Sequence, residues 1–375
     1  MKRRDFIKLS LLSAGAFGLN VYSDPLFAMA GSRKKKLVFI FLKGGADVLS
    51  MFPPVIKSDY REKINNCKDY NTKIEIHPSL GLTQDLINNL MIFTHTGVMG
   101  PKSSRSHFEQ IEQIEKGYQE NIGYFARQLN YSNLKGVAIG TKIPKSLMGA
   151  DVPLISDLSQ INDGFNLSYV EMSRSERLEL FNTSKNSDLN TIVPKAIKNY
   201  EDIEKGFLNS DSKSTETEKF VSSCETAAKL TQDPRSGDFQ PSIITIDFGG
   251  WDDHINLDPN NADSAFSKRL KTLNNGLFAL NDGMSDETIV VVMSEFGRTL
   301  CINPSGGADH GVGSAMMVFG KQVNTLFKGH KFSQSWDFNA TEKSSGGESS
   351  IAFKVKHDCF EVLNKIINGH VKKAA

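Results

Sequence analysis

Short apolar runs that stop at glycine or a carboxylate set the rhythm of this chain. Residues 37–42 (LVFIFL) run into Lys43-Gly44-Gly45-Ala46-Asp47, and residues 242–246 into Asp247-Phe248-Gly249-Gly250-Trp251-Asp252-Asp253-His254. Residues 288–293 run into Ser294-Glu295-Phe296-Gly297-Arg298-Thr299. Runs this short and this rich in β-branched residues read as buried parallel strands. Further strands are predicted at 90–94, 136–140 and 315–320. Helical spacing predicts helices over 83–89, 106–117, 123–129 and 263–284, and a closing helix over 351–367. In the 106–117 helix Phe108 and Ile111 mark an apolar face, and Ser106 with Glu109 three residues on makes a capping box. Residues 48–57, with Pro53-Pro54, read as irregular. Residues 173–231 are polar with helical spacing and read as a helical insertion. The alternation predicts an α/β fold with a mainly parallel central sheet flanked by helices.

The first 30 residues stand outside this pattern. Lys2-Arg3-Arg4-Asp5-Phe6 is followed by a weakly apolar stretch and by Ala28-Met29-Ala30, a small-x-small cleavage site. The stretch has about 13 residues against the roughly 20 that span a bilayer. It reads as a twin-arginine signal peptide, which makes the translocase a partner during export and places the product in the periplasm or beyond, with no stable membrane span after cleavage. Residues 31–375 then form one α/β domain. The leader holds Lys2, Arg3, Arg4 and Lys8 against Asp5 and Asp24, so its loss turns the formal charge from +1 to −1. A balance this near neutral argues against nucleic acid as a partner. Cys67, Cys224, Cys301 and Cys359 form no C-x-x-C pair and are expected to be free thiols.

In open α/β sheets ligands bind at the carboxyl ends of strands. Asp47, Asp252, Asp253, His254, Glu295, Asp309 and His310 fall at or near such ends, and they are the residue types a catalytic divalent metal needs. Mixed nitrogen and oxygen donors suit Zn, Mn or Fe, and an all-oxygen subset suits Ca or Mg. One aspartate after a strand is as readily a helix cap. Several separate segments presenting such groups favour a metal or polyanion site. Ser103-Ser104-Arg105-Ser106-His107 is the second constellation. A serine at a helix N-terminus sits where backbone N–H groups favour negative charge, which suits either a nucleophile attacking phosphate or sulfate or a plain cap. Arg105 or Arg298 would clamp an anion. His107 is a ligand, a general acid, or neither. Trp251 either walls the site against a sugar face or packs. There is no G-x-S-x-G elbow, and Gly44-Gly45 and Gly249-Gly250 are too short for phosphate-loop fingerprints. They allow tight strand exits.

Five segments together resemble an exported bacterial family, domain of unknown function 1501: 37–49 (LVFIFLKGGADVL), 105–117 (RSHFEQIEQIEKG), 249–254 (GGWDDH), 291–299 (VVMSEFGRT) and 307–313 (GADHGVG). That family is itself similar to the alkaline phosphatase and sulfatase superfamily. The resemblance implies an α/β sheet with a metal centre at its strand ends. It makes Asp47 the first-strand ligand and Ser106 the nucleophile, with Asp252 and His254 a ligand pair. Glu295 stands in the place of a later Asp, and His310 in that of the final ligand. Phe296 departs from the pattern, since His usually follows the later acid, so one or two ions are expected. The function expected is an exported metal-dependent hydrolase of phosphate or sulfate esters, acting on an anionic small molecule or polymer. The alternative is a non-catalytic periplasmic binding or accessory protein on the same frame, with a phosphomutase-like transferase a third reading. Changing Arg3 and Arg4 to lysine is expected to leave the uncleaved precursor in the cytoplasm, read by fractionation. Normal export of that variant would remove the twin-arginine assignment.

Overall fold

The computed structural model describes residues 35–56, 61–100, 104–118, 121–132, 134–155, 216–232, 241–344 and 350–368. Its strands are β1 (Lys36–Leu42), β2 (Lys68–Asp69), β3 (Glu75–Ile76), β4 (Leu90–Gly97), β5 (Gly136–Ile139) and β6 (Leu154–Ile155). They continue with β7 (Ile243–Phe248), β8 (Thr288–Ser294), β9 (Ser314–Phe319), β10 (Thr341–Glu342), β11 (Ala352–Phe353) and β12 (His357–Asp358). Eight of them pair in the order β12-β4-β9-β8-β1-β7-β5-β6. β1 lies inside the sheet, Leu37 pairing with Ile243 of β7 on one side and Ile289 of β8 on the other. Only β9 runs against its neighbours β4 and β8, so the sheet is mainly parallel, as the alternation predicted. β2–β3 and β10–β11 are separate two-stranded ribbons.

Successive side chains of a strand point to opposite faces, and both faces of this sheet are covered. Val38, Ile40, Leu42, Ile244, Ile246, Val290 and Val292 join the cluster that holds Phe266, Leu270, Leu273 and Leu277 of the helix Ala265–Gly283. Leu37, Phe39, Phe41, Ile243, Val291 and Met293 join the opposite one, with Phe125, Leu129, Val362 and Ile366 from the helices Tyr124–Ser132 and Cys359–Asn368. Each such side chain taken fully out of water contributes about 1.5–3 kcal/mol. The helix Ala265–Gly283 starts where Ser264 Oγ accepts from Ser267 N at 3.1 Å, and its apolar residues recur at spacings of three and four.

Two expectations change. The closing helix begins at Cys359, not 351, because residues 352–353 pair with β10 and residues 357–358 with β4, and Asp358 Oδ1 then accepts from Phe360 N at 3.1 Å. Within the supposedly irregular 48–57, Val48–Met51 forms one helical turn capped by Asp47. Of the proposed insertion at 173–231, only the helix Glu216–Thr231 is described, and the leader lies wholly outside the described residues. No described helix is long and apolar enough to cross a membrane. All four cysteines are free.

β4 carries a bulge between Thr94 and Thr96, and His95 sits there at φ 57°, a region in which histidine is enriched among non-glycine residues. The ring is fully buried between Trp336 and Phe353, with Nδ1 bonded to Lys354 O (3.2 Å) and Nε2 accepting from Asp337 N (2.9 Å). Burial, partly offset by the Lys354 carbonyl, lowers its pKa from 6.5 to about 4. Neutral His95 therefore stabilises the fold above pH 6.5, and that contribution, on the order of 3 kcal/mol, is lost as the pH falls toward 4. Urea midpoints at pH 7 and pH 4.5 should separate less in His95→Asn, which tolerates the backbone, than in the unaltered protein. His77, His330 and His357 are lowered by burial too, so the separation will shrink rather than vanish. An equal separation would place the acid sensitivity elsewhere.

Candidate metal centre

The ends of β1, β7 and β8 are laced together before any side chain of the site is placed. After β1 the backbone turns through Gly44 (φ 121°) and Gly45 (φ 65°), where a Cβ would lie 2.7 Å from Asp252 N and 2.3 Å from the Phe296 ring. The chain after β8 doubles back on itself, Gly311 N bonding Gly297 O (2.8 Å) and Thr299 N bonding Asp309 O (2.9 Å). Its outer edge pairs with the loop after β7 through Ala308 N to Asp253 O (3.0 Å) and Leu257 N to Gly306 O (2.9 Å). Asn303 completes the corner: its Oδ1 accepts from Ser305 N and Gly307 N, and its Nδ2 donates to Asp309 Oδ1 and His254 O, each at 3.0 Å.

On this frame His107, Asp252, His254 and His310 present donor atoms that all lie within 4.8 Å of one another. Each imidazole is held by its Nδ1: His107 by Glu295 Oε1 (2.6 Å), His254 by Asp309 Oδ1 (3.2 Å) and His310 by Arg105 O (2.7 Å). That leaves the three Nε2 atoms turned toward Asp252 Oδ1, at 3.2, 3.1 and 3.6 Å for His107, His254 and His310, with 2.8 Å between the last two. Donors at the corners of a tetrahedral zinc site stand about 3.3 Å apart, given bonds of roughly 2.0–2.1 Å. The donor set fits a borderline divalent cation. An acceptor behind each ring fixes the tautomer that points a lone pair inward, the arrangement typical of metal-bound histidine. The side chains of Asp252 and His254 are 50% and 40% exposed, so the set has a solvent-facing side on which a further ligand can enter.

Charge favours the same reading. Asp252, Glu295 and Asp309 surround the cluster, and among the described residues the guanidinium that reaches its donor atoms is that of Arg298. Burial raises the Asp252 pKa, but the Arg298 hydrogen bond and charge outweigh it and push it down to about 2. Burial likewise pulls His107 down, and Glu295 and Asp252 more than reverse it, holding the ring above the usual imidazole value. Three carboxylates against one cation leave a deficit that a divalent ion would balance.

The predicted residues fall into three groups. Asp252, His254 and His310 come together as expected, and His107 joins them as a donor. Glu295 and Asp309 stand one step behind, each holding a histidine. Glu295 is fully buried and also accepts from Gly44 N (2.8 Å). Asp47, Arg298 and Arg105 are placed otherwise than predicted, and of the two roles open to Trp251 the structure shows packing. Asp47 is buried, caps the turn Val48–Met51 and pairs with Arg61. Trp251 is fully buried and cannot meet a sugar face. Arg298 donates to the carbonyls of Gly45 (2.6 Å), Gly44 (2.5 Å), Ala308 (2.9 Å) and Trp251 (3.2 Å) and to Asp252 Oδ1 (2.5 Å). Its remaining N–H, on Nη1, faces His254 Nε2 (3.4 Å) inside the cluster, and the side chain is fully buried, so no two-pronged fork is left to clamp an anion. Arg105 directs Nη1 to the carbonyls of His310 (3.2 Å) and Ser350 (2.9 Å), which holds the His310 loop.

Ser106 does begin the helix His107–Lys116, but it makes no side-chain cap bond. The capping box does not form, because Ser104 Oγ engages Glu109 (2.5 Å) and accepts from Ser106 N (3.0 Å). Phe108, expected on the apolar face, is 88% exposed, whereas Gln110, Ile114 and Glu115 are buried. The bonds of His107 to Glu295 and of Glu115 to Lys43 (3.0 Å) set the roll of this helix against its apolar pattern. Sequence reasoning missed Arg61 and Asn303. Nothing in its flanks marks Arg61, but Asn303-Pro304-Ser305-Gly306 carries a turn signature that points to Asn303.

Residues 158–338 match the family described as Protein of unknown function (DUF1501). The segments 249–254, 291–299 and 307–313 lie inside that range, and 37–49 and 105–117 precede it. No curated protein matches the chain. Among solved structures the chain is similar to a protein in the alkaline phosphatase superfamily from Vibrio parahaemolyticus (13% identity, TM-score 0.37, 86% of this chain and 69% of that one). It is similar also to the C-terminal periplasmic domain of EcEptC from Escherichia coli in complex with Zn (9%, TM-score 0.38, 80% and 78%). A third is alkaline phosphatase from the Antarctic bacterium TAB5 (11%, TM-score 0.34, 91% and 100%).

The donor set predicts about one equivalent of a divalent metal per chain by elemental mass spectrometry, lost in His254→Ala and in His310→Ala. Glu295→Gln keeps all four donors and should weaken binding by roughly 10–100-fold in a chelator competition. Full affinity in His254→Ala would rule out this donor set.

Proposed function

We propose that this DUF1501-like protein is an exported, metal-dependent hydrolase of phosphate or sulfate esters. The observation that carries the proposal is the convergence of three oriented imidazoles and one carboxylate, open on one side, with a serine that makes no side-chain cap bond directly before His107 in the chain. A divalent cation held by His107, Asp252, His254 and His310 would supply Lewis acidity to an ester oxygen and lower the pKa of an oxygen nucleophile. Ser106 is the nucleophile in this reading. Its hydroxyl stands at the start of a ten-residue helix, where free backbone N–H groups favour the charge of a phosphate or sulfate. Glu295 and Asp309 keep His107 and His254 aimed, and Arg298 holds Asp252 ionised and fixed. The anion is then bound by the helix N-terminus and the centre itself, not by a guanidinium.

Export rests on Lys2-Arg3-Arg4 and Ala28-Met29-Ala30, which make the twin-arginine translocase the partner and the periplasm the destination. One sheet built from strands between residues 36 and 358 supports reading 31–375 as one domain. The alternative, a non-catalytic periplasmic binding or accessory protein, is favoured by one feature: Arg298 spends four of its five N–H groups on backbone carbonyls and Asp252.

The zinc-loaded protein should turn over p-nitrophenyl phosphate or p-nitrophenyl sulfate, and Ser106→Ala should lower kcat on the order of 10³-fold with metal content unchanged. Full turnover in Ser106→Ala would take the nucleophile's role from this serine. A loaded protein inert to both esters would favour the binding protein.

A further inference from the structure

A second cavity, of about 400 Å³, opens at the carboxyl ends of β5, β6 and β7. That is the edge of an α/β sheet where ligands are held, and the volume suits a small molecule. We infer that this cavity is a binding site for a sugar bearing a phosphate or sulfate group. The inference stands on the cavity alone and does not require the metal centre to hydrolyse anything.

The walls divide into the parts such a ligand needs. Lys142 and Lys219 line the cavity, both exposed, and neither is ion-paired among the described residues. They offer charge to an anionic group. Phe248 stacks on Phe220 at 4.1 Å and 15°, and both rings line the wall, an apolar platform of the kind that accepts the C–H face of a sugar ring. Thr245 and Asp247 lie two residues apart on one face of β7, and both line the cavity. Thr245 is 3% exposed, yet its hydroxyl has no hydrogen-bond partner among the described residues. A buried hydroxyl without a partner costs about 1–3 kcal/mol, and a sugar hydroxyl would supply one. Asp247 Oδ2 takes Lys43 at 2.6 Å, which leaves Oδ1 to accept from a second sugar hydroxyl. The floor is backbone: around Gly140 and Gly249 there is no atom within 4 Å of where a Cβ would stand, so a ligand can approach the main chain closely. A bare anion would use the lysines and leave the ring platform, Thr245 and Asp247 idle.

The test is isothermal titration of the purified zinc-loaded protein with glucose, galactose and N-acetylglucosamine as their 6-phosphates and 6-sulfates, beside the parent sugars and inorganic phosphate. The expected result is saturable binding of at least one ester, weakened about tenfold or more in Lys219→Ala and in Thr245→Val, and unchanged in His254→Ala. The phosphate and sulfate arms show which anion is read. Lys219 is on the surface, so its variant keeps the test valid if Thr245→Val fails to fold. Absence of binding across the panel overturns the inference. So does binding that survives Lys219→Ala and disappears in His254→Ala, which would belong to the metal centre. Inorganic phosphate or a parent sugar binding as tightly as its ester would also overturn it.

Discussion

The buried guanidinium of Arg298 is the contact on which the site is assembled. It joins the exit of β1, through the carbonyls of Gly44 and Gly45, to the exit of β7 at Trp251 and Asp252 and to the returning loop at Ala308. A charge taken out of water is tolerated only when its hydrogen bonds are made, and those bonds in turn demand three chain segments at fixed distances. Shortening this side chain would leave four carbonyls and one carboxylate without their donor. Gly45 is required for a related reason, since a Cβ there would strike Phe296 and press toward the Arg298 side chain. The residue that the sequence suggested would greet an incoming anion thus faces inward and holds the frame.

Much of the fold was legible because the strands that form the middle of the sheet are apolar throughout. β1, β8 and β9 are buried at every position, and their boundaries lie within about one residue of the apolar runs. Legibility failed where a polar contact overrode the pattern. The last helix was overextended because Ile351 and Val355 fit its spacing, whereas backbone pairing had already taken the residues around them. The helix after Ser106 was rolled the wrong way because Phe108 looked like a core residue, and periodicity carries no record of Glu295 or Lys43 waiting beneath.

The site divides the same way. Aspartate and histidine after strands marked Asp252, His254 and His310, since local context alone brings them to the carboxyl edge. Which carboxylates would touch a cation and which would only steer an imidazole depends on partners distant in sequence: Glu295 on His107, 188 residues away, and Asp309 on His254, 55 residues away. No spacing rule reaches that far. Lys43, tied to both Glu115 and Asp247, links this centre to the neighbouring cavity, so the two share one carboxyl edge of the sheet.

The register of β1 has a consequence for how the chain comes to exist. Its flanking partners begin at Ile243 and Thr288, so a strand apolar from Leu37 to Leu42 waits for about 200 residues of synthesis before either is made. At roughly 5–20 residues per second that is on the order of 10–40 s on the ribosome. Through that interval the strand is an unpaired template for aggregation, and long-range parallel pairing is slow to form even afterwards. The sheet therefore closes only when its C-terminal half has emerged, and until then β1 has no edge of its own sheet to pair with.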